Sequence, residues 1–361
     1  MNSRSLHRWL GLTVGLVFSL VCLSGSLLLH KSSLFPLIYP DLEVGIVSKQ
    51  TQVKLDISTV KRLISTQTEK PLAVVLPKQD WPFYTLAYNK TRKSYYSLQG
   101  DFLLSIDSKS NVFAWLLDLH QNLLLGDRGK NMNAWVQFVS LCLLITGLAI
   151  WWPRNNLFRN LSIKKTTSKR LLYYQIHRSA GVLAMPVFLL MITSGIALIY
   201  YPQTQQLLSR WFDKEQETHS INYEIPSDLE AIFKDVSGIW SDIQWTAIYL
   251  PGNNQIGWRL RGRFEQEWHP NGRSFITVVS GKGQKLVIDD ARRSGAGRSL
   301  AQRLYPIHSA AIGGEGYKWL LTLVGVTPII LWLSGIYLYG FRLRNKSKRV
   351  PGENHLINQM T

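Results

Sequence analysis

Four long apolar runs decide most of what this chain of 361 residues can fold into. They lie at about 9–29, 134–152, 181–201 and 319–341, and an α-helix needs roughly 20 apolar residues to cross a bilayer core. A helix satisfies its own backbone groups, so it is the form such a run takes in lipid. Two stretches of about a hundred residues separate the first run from the second and the third from the fourth. Each is long enough for a folded unit of its own.

The formal charge of +18 would in a soluble protein suggest nucleic acid or an anionic surface. Its distribution argues otherwise. The stretch 153–178 holds seven Lys/Arg and no acid, the first eight residues add Arg4 and Arg8, and the tail after Phe341 adds five bases against Glu353. Basic residues concentrated in short segments beside spans mark the cytoplasmic side. Both termini are therefore expected inside, and 31–132 and 202–316 outside. Residues 202–316 are neutral, with 13 basic and 13 acidic residues, so no nucleic-acid partner is expected; the lipid bilayer is.

A cleaved leader would also begin with a basic start and an apolar core. The first run is expected to be retained, since it is long, no Ala-x-Ala site follows it, and its loss would leave an odd number of spans. Val21 before Cys22 does not suit a lipoprotein site. Cys22 and Cys142, the two cysteines, both lie in apolar runs, which leaves the outer segments without a disulfide framework or a cysteine metal site.

The chain repeats itself. At an offset of 170, Leu6-His7-Arg8 matches Ile176-His177-Arg178, Gly11 matches Gly181, Phe18 matches Phe188, and Ser24-Gly25 matches Ser194-Gly195. At 188, His120 matches His308, Gly126 matches Gly314, Thr146-Gly147 matches Ser334-Gly335, and Arg154 matches Arg342. Each half reads as helix, outer lobe, histidine segment, helix. Corresponding spans point the same way, so the expected pseudo-twofold axis runs along the membrane normal. The domains follow: helix 1–30, lobe and histidine segment 31–132, helix 133–153, basic loop 154–178, helix 179–201, lobe and histidine segment 202–316, helix 317–341, and tail 342–361.

The lobes read as α+β. In the first, Asp56 can cap an amphipathic helix carrying Ile57, Val60, Leu63 and Ile64, with strands at 72–76, 84–88 and 103–106. In the second, Ser227 can cap a helix to about Val236, with strands at 245–250, 257–263, 275–279 and 285–288.

Five of the eight histidines lie near a span: His7, His30, His120, His177 and His308. The repeat assigns His7 and His177 to the cytoplasmic ends of two helices, and His120 and His308 to the outer face. His30 is also outer, but Tyr200 stands at its repeat position. A lone histidine at a helix end can be wet and inert. A symmetric pair on each face suits bis-histidine haem b, in which two imidazoles hold one iron from opposite sides. His7 and His30 are about 34 Å apart along one helix at 1.5 Å per residue, so two haem sites are required, one near each face.

Gly11 and Gly181, one turn from His7 and His177, would let a flat macrocycle approach, or they serve close helix packing. Arg8 and Arg178 could pair with haem propionates, or anchor the cytoplasmic face. The four Ser/Thr-Gly pairs read as points where spans cross closely. Arg259, Arg261 and Arg263 alternate on one strand and could attract an anionic substrate; a solvated strand face accounts for the same pattern. There is no P-loop, no dinucleotide glycine fingerprint and no His-Glu-x-x-His, and "GKGQK" at 281–285 reads as a basic hairpin turn.

"LHRWLGL", "LHQNLLLGDRG", "TGLAIWWPR", "IHRSAGV" and "IHSAAIGGEGYKWL", in that order, resemble the PepSY-associated transmembrane family. The resemblance covers nearly the whole chain. It implies a bacterial inner-membrane protein with four spans, PepSY-like outer lobes and two haems ligated by His7, His177, His120 and His308, with His30 a possible substitute on the outer face. It also implies an activity: a dihaem reductase of ferric siderophores or other ferric chelates, fed by an electron donor that the sequence leaves unidentified. One departure is "IDSKSNV" at 106–112, where PepSY domains carry a Thr-Gly turn. A membrane-anchored binding module and a siderophore permease are the alternative readings.

Overall fold

The computed structural model describes residues 2–45, 56–88, 92–152, 161–213, 219–222, 229–252, 257–279 and 285–347. Ser227, Arg154, residues 281–284 of the basic turn, part of the basic loop and the tail beyond Ser347 lie outside the described residues. The chain forms two compact units. One comprises 1–26, 119–196 and 319–361, the other 27–118 and 197–318.

The first unit is built from four helices long and apolar enough to cross a membrane: Ser3–Leu29, Gly126–Trp151, Lys169–Ile199 and Gly314–Ser347. They are called the first to fourth spans below. Each exceeds its apolar run, because polar ends such as Gly126-Asp127-Arg128 continue the helix. Phe18, Ala184, Phe188 and Ile192 form the buried centre of this unit. Phe18 meets Phe188, the residue 170 further along, with ring centroids 6.0 Å apart. Outward side chains such as Leu183 and Leu323 stay 67% and 69% exposed, as lipid-facing leucines would. Span hydroxyls return to their own helix, Ser19 to the carbonyl of Gly15 and Ser140 to that of Val136, which satisfies them in apolar surroundings.

The second unit is a nine-stranded antiparallel sheet. Its strands are β1 (Ala73–Val75), β2 (Tyr84–Ala87), β3 (Arg92–Tyr96), β4 (Phe102–Asp107), β5 (His219–Asn222), β6 (Gln244–Tyr249), β7 (Gly257–Arg263), β8 (Ser274–Val279) and β9 (Lys285–Asp289). Their spatial order is β4-β3-β2-β1-β6-β7-β8-β9-β5. Two meanders were expected as two lobes; they are joined into one sheet through β1 and β6, where Val74 lies opposite Ile248. Pairing β1 with β6 removes two exposed edges at once. The sequence reading missed β3 and β5. Arg92-Lys93 at the start of β3 hides its period, and β5 is a four-residue edge strand.

Alternation along each strand sorts the residues onto two faces. One face carries Val74, Leu86, Ile248, Leu260, Ile276 and Leu286, all buried under the helices Ile57–Ser65 and Leu229–Ile239. Asp56 caps the first of these as expected, accepting from Ser58 N at 3.0 Å. The other face differs between the halves. Under β2 to β4, Tyr95 and Phe83 are closed over by Phe35 and Phe113, brought in by the helices Lys31–Ile38 and Val112–Asn122. Under β6 to β9 it carries Tyr249, Arg259, Arg261, Phe275 and Asp289, flanked by the helices Tyr201–Phe212 and Ala296–His308.

Candidate functional site

The two His-Arg pairs stand in the second turn of the first span and the third turn of the third, and there the imidazoles of His7 and His177 meet. Their ring centroids are 6.3 Å apart and their planes lie at 85°. His7 Nδ1 is 3.1 Å from Thr146 Oγ1, and His177 Nδ1 is 2.9 Å from Ser334 Oγ. Each of these hydroxyls spends its single proton on a carbonyl of its own helix, Thr146 on Cys142 O at 2.8 Å and Ser334 on Leu331 O at 3.0 Å. The hydroxyl oxygens must therefore accept from the imidazoles. Nδ1 carries the proton in both rings and Nε2 keeps its lone pair.

A second-atom hydrogen bond of this kind is what orients a metal-binding histidine. Among the described residues no three His, Cys, Asp or Glu side chains come together, so the pair alone cannot complete a metal's coordination. A planar macrocycle that supplies the remaining donors fits the pair. His7 and His177, from different spans with ring centroids 6.3 Å apart, are the two side chains that would hold such a group. The arginines fit the same group. Arg8 and Arg178 each leave a buried Nε with no partner among the described residues, a donor suited to a carboxylate. Gly11 and Gly181 face Leu143 and Leu331, where an added methyl would lie at 3.8 and 3.7 Å. Protein packing therefore does not force either residue to be glycine.

The Ser/Thr-Gly pairs do more than let helices cross. A Cβ at Gly147 would lie 3.2 Å from the His7 ring, and one at Gly335 would lie 3.8 Å from that of His177. Ser24-Gly25 receives His120 in the same manner. His120 Nδ1 is 2.8 Å from Val21 O, a group that can only accept, and a Cβ at Gly25 would lie 2.7 Å from the ring. His120 again carries its proton on Nδ1. Burial also holds its pKa below the ordinary histidine value, so its neutral, ligand-competent form persists. The sequence reading missed these seats. The signal was present, since each pair recurs at the same repeat position as a histidine. Asn133 donates to the carbonyls of His120 and Gln121 at 2.8 and 3.1 Å, and Leu123 and Leu124, at φ 51° and 61°, turn the chain sharply into the second span. Of the remaining candidates, His30 precedes the helix Lys31–Ile38 and His308 closes Ala296–His308.

A family model described as the PepSY-associated TM region matches residues 4–342. The chain belongs to that family. A search of curated proteins returned no match. This PepSY-associated protein is thus a multi-pass membrane protein, as the motif order predicted, with an antiparallel sheet domain where two separate lobes were expected.

Within that domain, Arg259 and Arg261 face a cavity of about 410 Å³. Arg263 does not line it; its Nε donates to Glu267 O at 3.3 Å. Arg273 and Arg298 also face the cavity; they escape the strand pattern because one precedes β8 and the other comes from the helix Ala296–His308.

Proposed function

We propose that this family member is a bacterial inner-membrane dihaem b protein. It would take electrons from a cytoplasmic or quinol donor and reduce ferric iron, held as a siderophore or other chelate, on the periplasmic side. The observation that carries the reading is the pair His7–His177: two imidazoles from different spans, each with its Nδ1–H engaged and its Nε2 open. Haem b supplies an iron that takes up and gives back one electron at a time. The rest belongs to the chain. His7 and His177 hold the inner group, Arg8 and Arg178 receive its carboxylates, and Gly11 and Gly181 leave room for its plane. The outer group falls to His120 and His308, paired here by the sequence repeat alone, with His30 as the substitute. One-electron reduction turns Fe(III) into Fe(II), which hard oxygen donors hold far less tightly, so the metal is released.

The two-half repeat read from the sequence supports the same reading: within the four-helix unit, residues 170 positions apart meet as a twofold would bring them together, His7 with His177 and Phe18 with Phe188. The deciding measurement is a visible spectrum of the protein purified in mild detergent, before and after dithionite, with a haemochrome count. Sharp reduced α and Soret bands from two haems per chain are expected, with one lost in His7→Ala and one in His308→Ala. Protein that stays colourless after expression with added haem sinks the reading and favours a membrane-anchored binding module.

A further inference from the structure

The two halves of the sheet treat the same face in opposite ways. Beneath the first, helices close it with aromatic side chains. Beneath the second, the helices in corresponding positions leave a cavity of about 410 Å³, within the range of small-molecule sites. Four arginines face it: Arg259 and Arg261 from β7, Arg273 just before β8, and Arg298 from the helix Ala296–His308. The one carboxylate in the lining, Asp289, is taken by Arg298, whose Nη2 reaches both its oxygens at 2.9 and 2.7 Å. Among the described residues no carboxylate pairs with Arg259, Arg261 or Arg273.

These three guanidiniums are held ready rather than neutralised. The Arg259 guanidinium lies over the Phe275 ring at 3.9 Å, and that of Arg273 lies over Tyr201 at 5.5 Å. A guanidinium stacked on a ring keeps the N–H groups in its own plane available. Arg261 is fixed through Gly272 O, at 2.7 Å from its Nη2, and through His269 Nδ1 at 3.3 Å. Arg273 also has a buried Nε without a partner among the described residues. Fixed, closely spaced like charges cost stability unless an anion joins them.

We propose that this cleft is a binding site for a compact polycarboxylate, presented as its ferric chelate. The site stands on its own geometry; its role as the substrate site rests on the reductase reading above. Planar forks match carboxylates two N–H groups at a time, and three separated forks suit a ligand with several carboxylates. An uncharged ferric hydroxamate would leave them unpaired. The assignment thus names the substrate class: anionic oxygen chelates over neutral ones.

The test uses the full chain in detergent, with citrate, ferric citrate, inorganic phosphate and an uncharged ferric hydroxamate as probes. Binding is read by calorimetry without any reductant. Saturable citrate binding is expected, weakened by salt and by about tenfold or more in Arg259→Gln and in Arg273→Gln, as loss of a charge-assisted hydrogen bond implies. Arg259 is exposed and makes no structural hydrogen bond among the described residues, so Arg259→Gln tests the site without threatening the fold. No saturable citrate binding, or equal affinity in both variants, overturns the site and leaves the reductase reading intact. Phosphate binding as tight as citrate overturns the polycarboxylate class. Citrate binding through these arginines in a protein that reduces no ferric chelate keeps the site and fails the reductase reading. Ferric citrate reduced equally fast after citrate binding is lost overturns its role as the substrate site.

Discussion

The histidine seats make claims that single substitutions can check. Gly11 and Gly181 have room for a methyl against their leucines, so Gly11→Ala and Gly181→Ala should leave the unfolding temperature nearly unchanged while lowering the content of the inner haem. Full haem in both variants would show that the macrocycle does not need the space these glycines leave. Ser334→Ala strips the acceptor from His177 Nδ1. A buried donor left unmade costs about 1–3 kcal/mol, and the midpoint potential of one haem should shift, a change that spectroelectrochemistry would record. His269, hydrogen-bonded to Arg261 of the arginine cleft, is the contrasting histidine. Its Nδ1 accepts from Arg261 and from Asn271 N, its ring stacks on Tyr305 at 5.0 Å, and its pKa falls from 6.5 to about 3. Burial is the main cause, followed by the positive charges of Arg273, Arg261, Lys78 and Arg263. The unfolded chain takes up a proton at this residue near pH 6.5 that the folded chain refuses until about pH 3. Stability is therefore unaffected by this group above pH 6.5 and falls as the pH drops through that window. The difference in thermal unfolding between wild type and His269→Gln should shrink with acidification, and a constant difference from pH 7 to 4 would contradict it.

Among the elements, the junction of β1 and β6 makes two meanders one sheet. Val74 and Ile248 face each other across it, and neither is exposed to solvent. Ile248→Ala should cost about 2–5 kcal/mol and shift one cooperative transition of the whole sheet in chemical denaturation followed by circular dichroism. Two separated transitions, with the first meander unmoved, would mean that the halves fold independently. The same junction shows why local reading stops short. Strands β1 and β6 were each legible from their apolar runs, and β7 to within a residue, but nothing in either run says that its partner lies some 170 positions away. The helix Ile57–Ser65 was legible because Asp56 caps it from one residue away.

For the whole molecule, the basic stretches beside the spans predict orientation. With Cys22 and Cys142 replaced, a cysteine at the exposed Thr68 should react with an impermeant maleimide on spheroplasts, and one at Thr167 only after permeabilisation. The opposite pattern would invert the topology. The four spans could be read from the letters because they depend on short-range composition: hydropathy sums along one helix. The meeting of His7 with His177, the hydroxyls of Thr146 and Ser334 that set their protons, and the gathering of Arg273 and Arg298 beside Arg259 and Arg261 arise only when distant segments pack. A side chain's partners are chosen by the surface it is pressed against, and folding alone brings that surface to it.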